Sequence, residues 1–382
     1  MPAWPTHSDD VASRAETHHQ QSFSGDPSVV ATAPIAVGLL GEFGSRFGGH
    51  GLTLATSIQV AAAIGDQAGS TVLVAENPGV NVDKLTAFTS SIVTSMQQHW
   101  GVPREESGTS VAVTSDAPDL QIPAVVAALG SAVALALNSK FGDRDDIPTR
   151  AKMAEFVVRA ADEIGVGGIA DWATTSLRTH VDQVLNINHC DGAVTQMPVR
   201  TDKWEPALAL LRPNATPEQF AQTTAALARR DQLIEDACRT YGVTSLCELP
   251  DGPTRIIEWL QAVHARHTDS PLPQVAEAAS WLSYLQAESV RAQTAASALR
   301  NRNVLPLIDA MNTSRRAMAS DYGLALPEAA DLFEACDDAR VVSRAAGGWP
   351  GYVVAVAASE LPELPELANA RVVHAHGPAS LA

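Results

Sequence analysis

Apolar positions fall into two rhythms along the chain. From Val29 to Val74, short runs rich in valine, isoleucine and leucine alternate with glycine (29–32, 36–41, 51–56 and 57–64), which predicts a strand-rich beginning. Val111–Thr114 adds a strand. Between them, Asn81 to Trp100 places Leu85, Phe88, Ile92 and Met96 at helical spacing, with Asp83 near the start. A second helix runs from Pro123 to Asn138, its proline suited to a first turn where an amide would lack a partner. Arg150–Ile164 is a further helix; Val184–His189 and Ala207–Leu211 are strands before a linker at Arg212–Pro217. The three-to-four residue period then dominates through Thr216–Tyr241, Pro253–Arg266, Leu272–Arg300, Leu305–Tyr322 and Pro327–Ala339, and Tyr352–Ala357 closes as a strand. The sum is an α+β chain with a mixed sheet first, helices later and a last strand returning to a sheet.

Composition narrows the class. With 382 residues, 46% hydrophobic and 18% charged, the chain is long enough for two packed lobes and too apolar to be disordered. A net charge of −17 would repel both a phosphate backbone and an anionic bilayer, so neither nucleic acid nor membrane is expected as a partner. Cys190, Cys238, Cys247 and Cys336 show no metal or disulfide spacing, which fits reduced thiols and a cytoplasmic location. The long apolar run Ile122–Leu137 is short for a membrane span and is flanked by Asp116, Asp119 and Lys140, hence a buried helix. Residues 1–22, polar and carrying His7, His18 and His19, are expected to form a disordered tail.

Four segments then stand in a recognisable order. They are Ala33-Pro-Ile-Ala-Val-Gly-Leu-Leu-Gly-Glu42 with Gly48-Gly49, Gly168-Ile-Ala-Asp171, Ser314 to Pro327, and Ala346-Gly-Gly-Trp-Pro-Gly-Tyr-Val-Val-Ala355. Together with Phe23 to Pro27 they resemble the galactokinases of the GHMP small-molecule kinase superfamily. The resemblance covers roughly residues 23–357. It implies a two-lobe fold with an N-terminal lobe at 23–200 and a helix-rich C-terminal lobe at 201–382. It also implies ATP and Mg2+ as cofactors if the protein is active, and a hydroxyl of a sugar or cyclitol as acceptor. Asp171 takes the place of the family's catalytic aspartate, though by position alone an aspartate there is more often a helix cap than a base.

The departures are as informative as the matches. An arginine of the family's opening motif corresponds to Ala36, and its sugar-binding His-Thr-Asp to Phe43, Gly44 and Ser45. Glu42, Phe43, Ser45 and Arg46 are therefore the expected substrate residues, with galactose excluded because the hydrogen-bonding groups differ. Arg46 fits either an anionic substrate group or a plain surface position. The family's glycine- and serine-rich phosphate loop corresponds to Pro118–Ala127, where Pro123 has no amide, Ala124 and Val125 replace serines, and the following glutamate falls at Gly130. Nucleotide contacts are expected at Ala124 and Val125, and at Ser343, Gly347, Gly348 and Gly351. No metal ligands can be named. The expected function is ATP-dependent phosphorylation of a sugar or cyclitol other than galactose, with an anionic one included; the alternative is an inactive pseudokinase that binds or regulates.

Overall fold

The computed structural model describes residues 4–5, 7–45, 47–76, 81–100, 108–142, 144–200, 206–213, 216–267, 269–357 and 360–382. In chain order the elements are α1 (Val11–Ser22), β1 (Val29–Leu40), β2 (His50–Gln67), β3 (Val72–Ala75), α2 (Val82–His99), β4 (Gly108–Ser115), α3 (Pro123–Phe141), α4 (Ile147–Glu163) and α5 (Ala170–Arg178). They continue as β5 (Gln183–Asn188), β6 (Val194–Pro198), β7 (Ala207–Leu211), α6 (Pro217–Tyr241), α7 (Gly252–Arg266), α8 (Val275–Arg300) and α9 (Leu305–Ser320). The chain ends with α10 (Ala330–Asp338), β8 (Val342–Ala345), β9 (Val353–Ala357), β10 (Arg371–Val373) and β11 (Ser380–Leu381). The architecture is α+β, as the sequence pattern predicts.

Two compact units share these elements, and neither is one continuous stretch of chain. One, the N-terminal unit, takes the residues up to Val37 with Leu54–Gln183 and Val373–Ala382. The other, the C-terminal unit, takes Gly38–Thr53 and Val184–Val372. The turn expected to touch substrate, 41–49, thus groups with the helix-rich half of the sequence.

In the N-terminal unit the strands run β11-β1-β2-β4-β3. β2 and β4 are antiparallel, with Ala61 opposite Thr114 and Ala63 opposite Ala112, while β3 lies parallel to β4. The separate apolar runs of the sequence merge into the long strands β1 and β2. Pro34 does not end β1, because proline withholds only a donor; its carbonyl accepts a 2.7 Å bond from Ser176 Oγ. α3 packs against α2, α4 and α5, and residues 124–138 are buried on every side. By length and composition it is apolar enough to cross a membrane, but a helix apolar all round is also what a core position requires.

The C-terminal unit contains the β5–β6 hairpin and a four-stranded sheet ordered β10-β7-β9-β8, with β9 antiparallel to both β7 and β8. α8 packs on α7 and α9, and α9 on β8. Within this core Arg230 lies between two rings, its guanidinium 4.6 Å from the Trp281 centroid and 4.9 Å from that of Tyr322.

One expectation is overturned. Residues 11–22, read as part of a disordered tail, form α1, which packs on β4. Asp10 caps it by accepting from the amides of Ala12 and Ser13 at 3.0 and 2.9 Å. A narrow stripe of Val11, Ala15 and His19 is buried, the first two against Ala61, Ala63 and Ala112. His19 Nε2 sits 2.9 Å from Ser110 Oγ, and burial holds its pKa below the usual 6.5; neighbouring His18 pushes the same way, while the Gly25 backbone and Asp26 oppose. The folded state therefore favours neutral imidazole. Its contribution is present above pH 6.5 and is lost as the pH falls below that value, because the unfolded chain then binds the proton more readily. Chemical denaturation of wild type and His19→Gln, compared from about pH 7 to about pH 5, should show a steeper loss of stability in wild type; equal slopes would remove His19 as the cause.

Candidate functional site

The C-terminal unit contains a buried cluster of four charged groups. β1 enters this unit at Gly38, whose amide donates to the Gly347 carbonyl at 2.9 Å, and the Gly347 amide returns a 3.2 Å bond. This exchange joins the end of β1 to the glycine-rich turn that follows β8. Two residues past β1, Glu42 turns inward and meets Arg344 of β8. The guanidinium donates to both carboxylate oxygens, at 2.6 and 3.0 Å, and also to the Leu39 carbonyl. The Arg344 side chain is fully buried and Glu42 nearly so, with 2% of its side chain exposed.

A second carboxylate faces the same arginine. Glu288 of α8 has Oε1 3.6 Å from Arg344 and accepts from Ser314 Oγ at 2.7 Å and the Gly41 amide at 3.3 Å. Its Oε2 takes a 2.7 Å bond from Arg291 Nε. Two arginines thus balance two glutamates, and every carboxylate oxygen has a donor. Burial is the main reason the Glu42 pKa is raised, with Arg344 opposing and the Glu288 charge reinforcing. For Arg344, burial pulls downward, but the charges of Glu42, Glu288 and Tyr284 outweigh it and hold the guanidinium protonated. Above the cluster, Tyr284 stacks on Tyr322 at 4.5 Å, and Phe43 lies 5.4 Å from Tyr322.

Beside the cluster is a cavity of about 90 Å³, walled by Glu42, Phe43, Trp349 and Tyr352, with Thr223 and Thr224 supplying hydroxyls. Gly347, Gly348 and Gly351 line it as well. Groups expected to touch two different ligands, substrate and nucleotide, therefore share one wall. Ser343 does not: it is buried on β8 and its hydroxyl accepts from Arg315 at 3.2 Å. Ser45 sits half-buried in the turn, its carbonyl accepting from the Gly48 amide. Arg46 lies outside the described residues. Sequence reasoning missed Arg344 and Glu288. The only signal was a charged residue inside an apolar strand, Val-Val-Ser-Arg-Ala-Ala at 341–346, and that pattern does not name a partner.

The N-terminal unit holds the remaining predicted residues. Asp171 lies in the first turn of α5 and is 4% exposed. The capping position belongs to Ile169, so Asp171 is inside the helix, where a carboxylate faces the positive end of the helix dipole. Ala36, at the position of the family arginine, is fully buried in β1. Ala124 and Val125 form the first turn of α3 with fully buried side chains. The amides of Val125 and Val126 donate to the Ile122 carbonyl at 2.8 and 2.9 Å, and no side chain caps this end. Gly130 is a packing glycine: a Cβ there would lie 2.6 Å from Val157 Cγ1 and 2.7 Å from Phe88 Cζ. A glutamate at that position would have nowhere to go. The turn expected to cradle magnesium–ATP therefore offers no hydroxyls, its one carboxylate, Asp119, accepts from the Gln121 amide, and the place of the family's glutamate is closed by packing, so these residues do not fit that group. Among the described residues no cluster of three or more metal-ligating side chains occurs.

No family model matches the chain, and no curated protein sequence does. Solved structures do. Galactokinase from Lactococcus lactis, complexed with galactose, superposes with a TM-score of 0.70 at 16% identity, over 96% of this chain and 98% of that one. The fold is that of the GHMP small-molecule kinases. Mevalonate kinase from L. major, complexed with R-mevalonate, gives a TM-score of 0.57 at 12% identity over 92% and 98% of the two chains. Homoserine kinase from Cytophaga hutchinsonii gives 0.56 at 13% identity, over 93% and 97%.

The cluster makes its own prediction. Arg344→Met leaves Glu42 and Glu288 facing each other without their shared cation, and should cost about 3–5 kcal/mol in urea denaturation. Adding Glu42→Leu to Arg344→Met should recover part of that loss, because the two sites are coupled. Strict additivity of the two substitutions would mean that the ion pair contributes nothing of its own.

Proposed function

We propose that this chain is a non-catalytic protein of the small-molecule kinase fold, which binds a small hydroxyl-bearing molecule and does not transfer phosphate to it. The observation that carries this reading is the start of α3, where Pro123 has no amide, Ala124 and Val125 have no hydroxyl, and Phe88 and Val157 fill the space at Gly130 that an acidic ligand would need. Phosphoryl transfer depends almost wholly on positioning and charge stabilisation, so a fold without its phosphate cradle loses most of what it can supply. The ligand class follows from the cavity beside Glu42. Trp349 and Tyr352 offer aromatic faces and Thr223 and Thr224 hydroxyls, which suits a neutral sugar- or cyclitol-like molecule. Glu42 is already bound by Arg344 and is not available to accept substrate hydroxyl protons.

One observation favours the kinase reading. Asp171 is retained, buried, and inside the first turn of α5 rather than at its cap, a placement compatible with orienting an acceptor hydroxyl.

Calorimetry and a transfer assay separate the two. The non-catalytic reading expects no magnesium-dependent ATP binding, no phosphate transfer across a panel of sugars and cyclitols, and identical ligand affinity for wild type and Asp171→Asn. A kinase would bind magnesium–ATP, and Asp171→Asn would cut its turnover by roughly 10²–10⁴-fold with stability unchanged. That second outcome would overturn the proposal.

A further inference from the structure

Two of the four cysteines lie against one glycine, Gly48. Cys190 lies in the turn between β5 and β6, and Cys247 in a short helical turn at Leu246–Glu248. Both are exposed, whereas Cys238 and Cys336 are buried. The Cys190 thiol donates to the Gly48 carbonyl at 2.9 Å, and Cys247 is close enough to contribute to the upward shift of the Cys190 pKa. Cys247 Sγ in turn lies 3.5 Å from Ser245 Oγ. Gly48 also lies close against Cys247: a Cβ at that position would fall 2.5 Å from Cys247 Cβ and 2.8 Å from its Sγ, and its φ of +85° favours glycine independently. Two exposed thiols held against one residue that has no side chain to separate them are arranged for a bond between them.

We propose that Cys190 and Cys247 are a modification site, a thiol pair that a peroxide converts to a reversible disulfide. The two sulfurs have different roles. Desolvation first, then the hydrogen bond and charge of Cys247 and the charge of Asp191, push the Cys190 thiol up to about 12, so Cys190 stays protonated and Cys247 attacks. The Cys247 thiolate takes one peroxide oxygen; the O–O bond breaks and hydroxide leaves, collecting a proton to become water. The product is a sulfenic acid at Cys247. Cys190 sulfur then attacks that sulfur, the S–O bond breaks, and the departing hydroxide carries off the Cys190 proton as a second water. Two thiols are oxidised by two electrons and one peroxide is reduced to two waters. A dithiol reductant reverses the change by exchange, as expected for an exposed disulfide. The disulfide also removes the S–H that binds Gly48, so the turn carrying Glu42 and Phe43 loses one of its anchors.

The test uses the full chain, hydrogen peroxide and no small-molecule ligand, so its result is independent of the proposed binding function. Before oxidation, Cys247 should react rapidly with a thiol reagent under native conditions and Cys190 slowly, while Cys238 and Cys336 react only after denaturation. Equimolar peroxide should abolish the rapid class. Non-reducing peptide mapping should give one intramolecular Cys190–Cys247 cross-link, and dithiothreitol should restore both thiols. In Cys190→Ser, oxidation should stop at Cys247, which dimedone traps as a sulfenic acid; in Cys247→Ser, Cys190 should show little trapping. A peptide map without the Cys190–Cys247 link, or with links between molecules only, overturns the proposal. Strong dimedone labelling of Cys190 in Cys247→Ser overturns the assignment of roles.

Discussion

Arg344 is the constraint on which the C-terminal unit is organised. A fully buried guanidinium is tolerable only when its charge is matched, and groups distant in sequence match it here and take up both terminal nitrogens, leaving only Nε without a partner. Leu39 and Glu42 supply these groups from the end of β1, and Glu288 from α8, itself held by Ser314 of α9 and by Arg291. The bidentate geometry fixes orientation as well as charge. Strand, turn and two helices therefore meet at one point, and the glycine-rich turn after β8 is placed by the backbone exchange between Gly38 and Gly347.

That arrangement is consistent with the proposed non-catalytic reading, in which the fold keeps its shape while its chemistry differs. Fold is set by core packing and buried pairing, whereas chemistry depends on groups left available at a site. In this chain a buried carboxylate that lines the cavity is paired with an internal arginine. In the N-terminal unit, separately, the helix start that a nucleotide would need has been absorbed into the core: Ala124 and Val125 face inward, and Phe88 and Val157 close over Gly130. Each change suits packing better than ligand binding.

The helices and the class of fold were legible because their apolar periods are long and strong, as in Leu85, Phe88, Ile92 and Met96 of α2. The division of β1 into two runs was misleading because Pro34 looks like punctuation, yet it does not break the extended strand. α1 was hidden by its polarity. Only Val11, Ala15 and His19 face inward, a stripe too narrow to register, and its stability comes from an aspartate cap and a strand surface that local sequence does not reveal. The site was legible in part. Glu42 and the glycines after β8 stood out by resemblance, but the partner of Glu42 did not, since an arginine and a glutamate from distant segments pair only once the chain has folded. The loss at Pro118–Ala127 was visible as missing residue types; that the vacated space is filled was visible only in three dimensions.

The interleaving of the two units bears on how this gene could be cut or rearranged. Residues 38–53 lie early in the sequence but belong with 184–372. Any separation of the chain near its midpoint would carry Leu39 and Glu42 away on one fragment and leave Arg344 on the other, a buried cation without the carbonyl and carboxylate that make its burial possible. The protein is thus held together as one inheritance: neither half of the sequence is a module that recombination could lend to another protein and expect to fold.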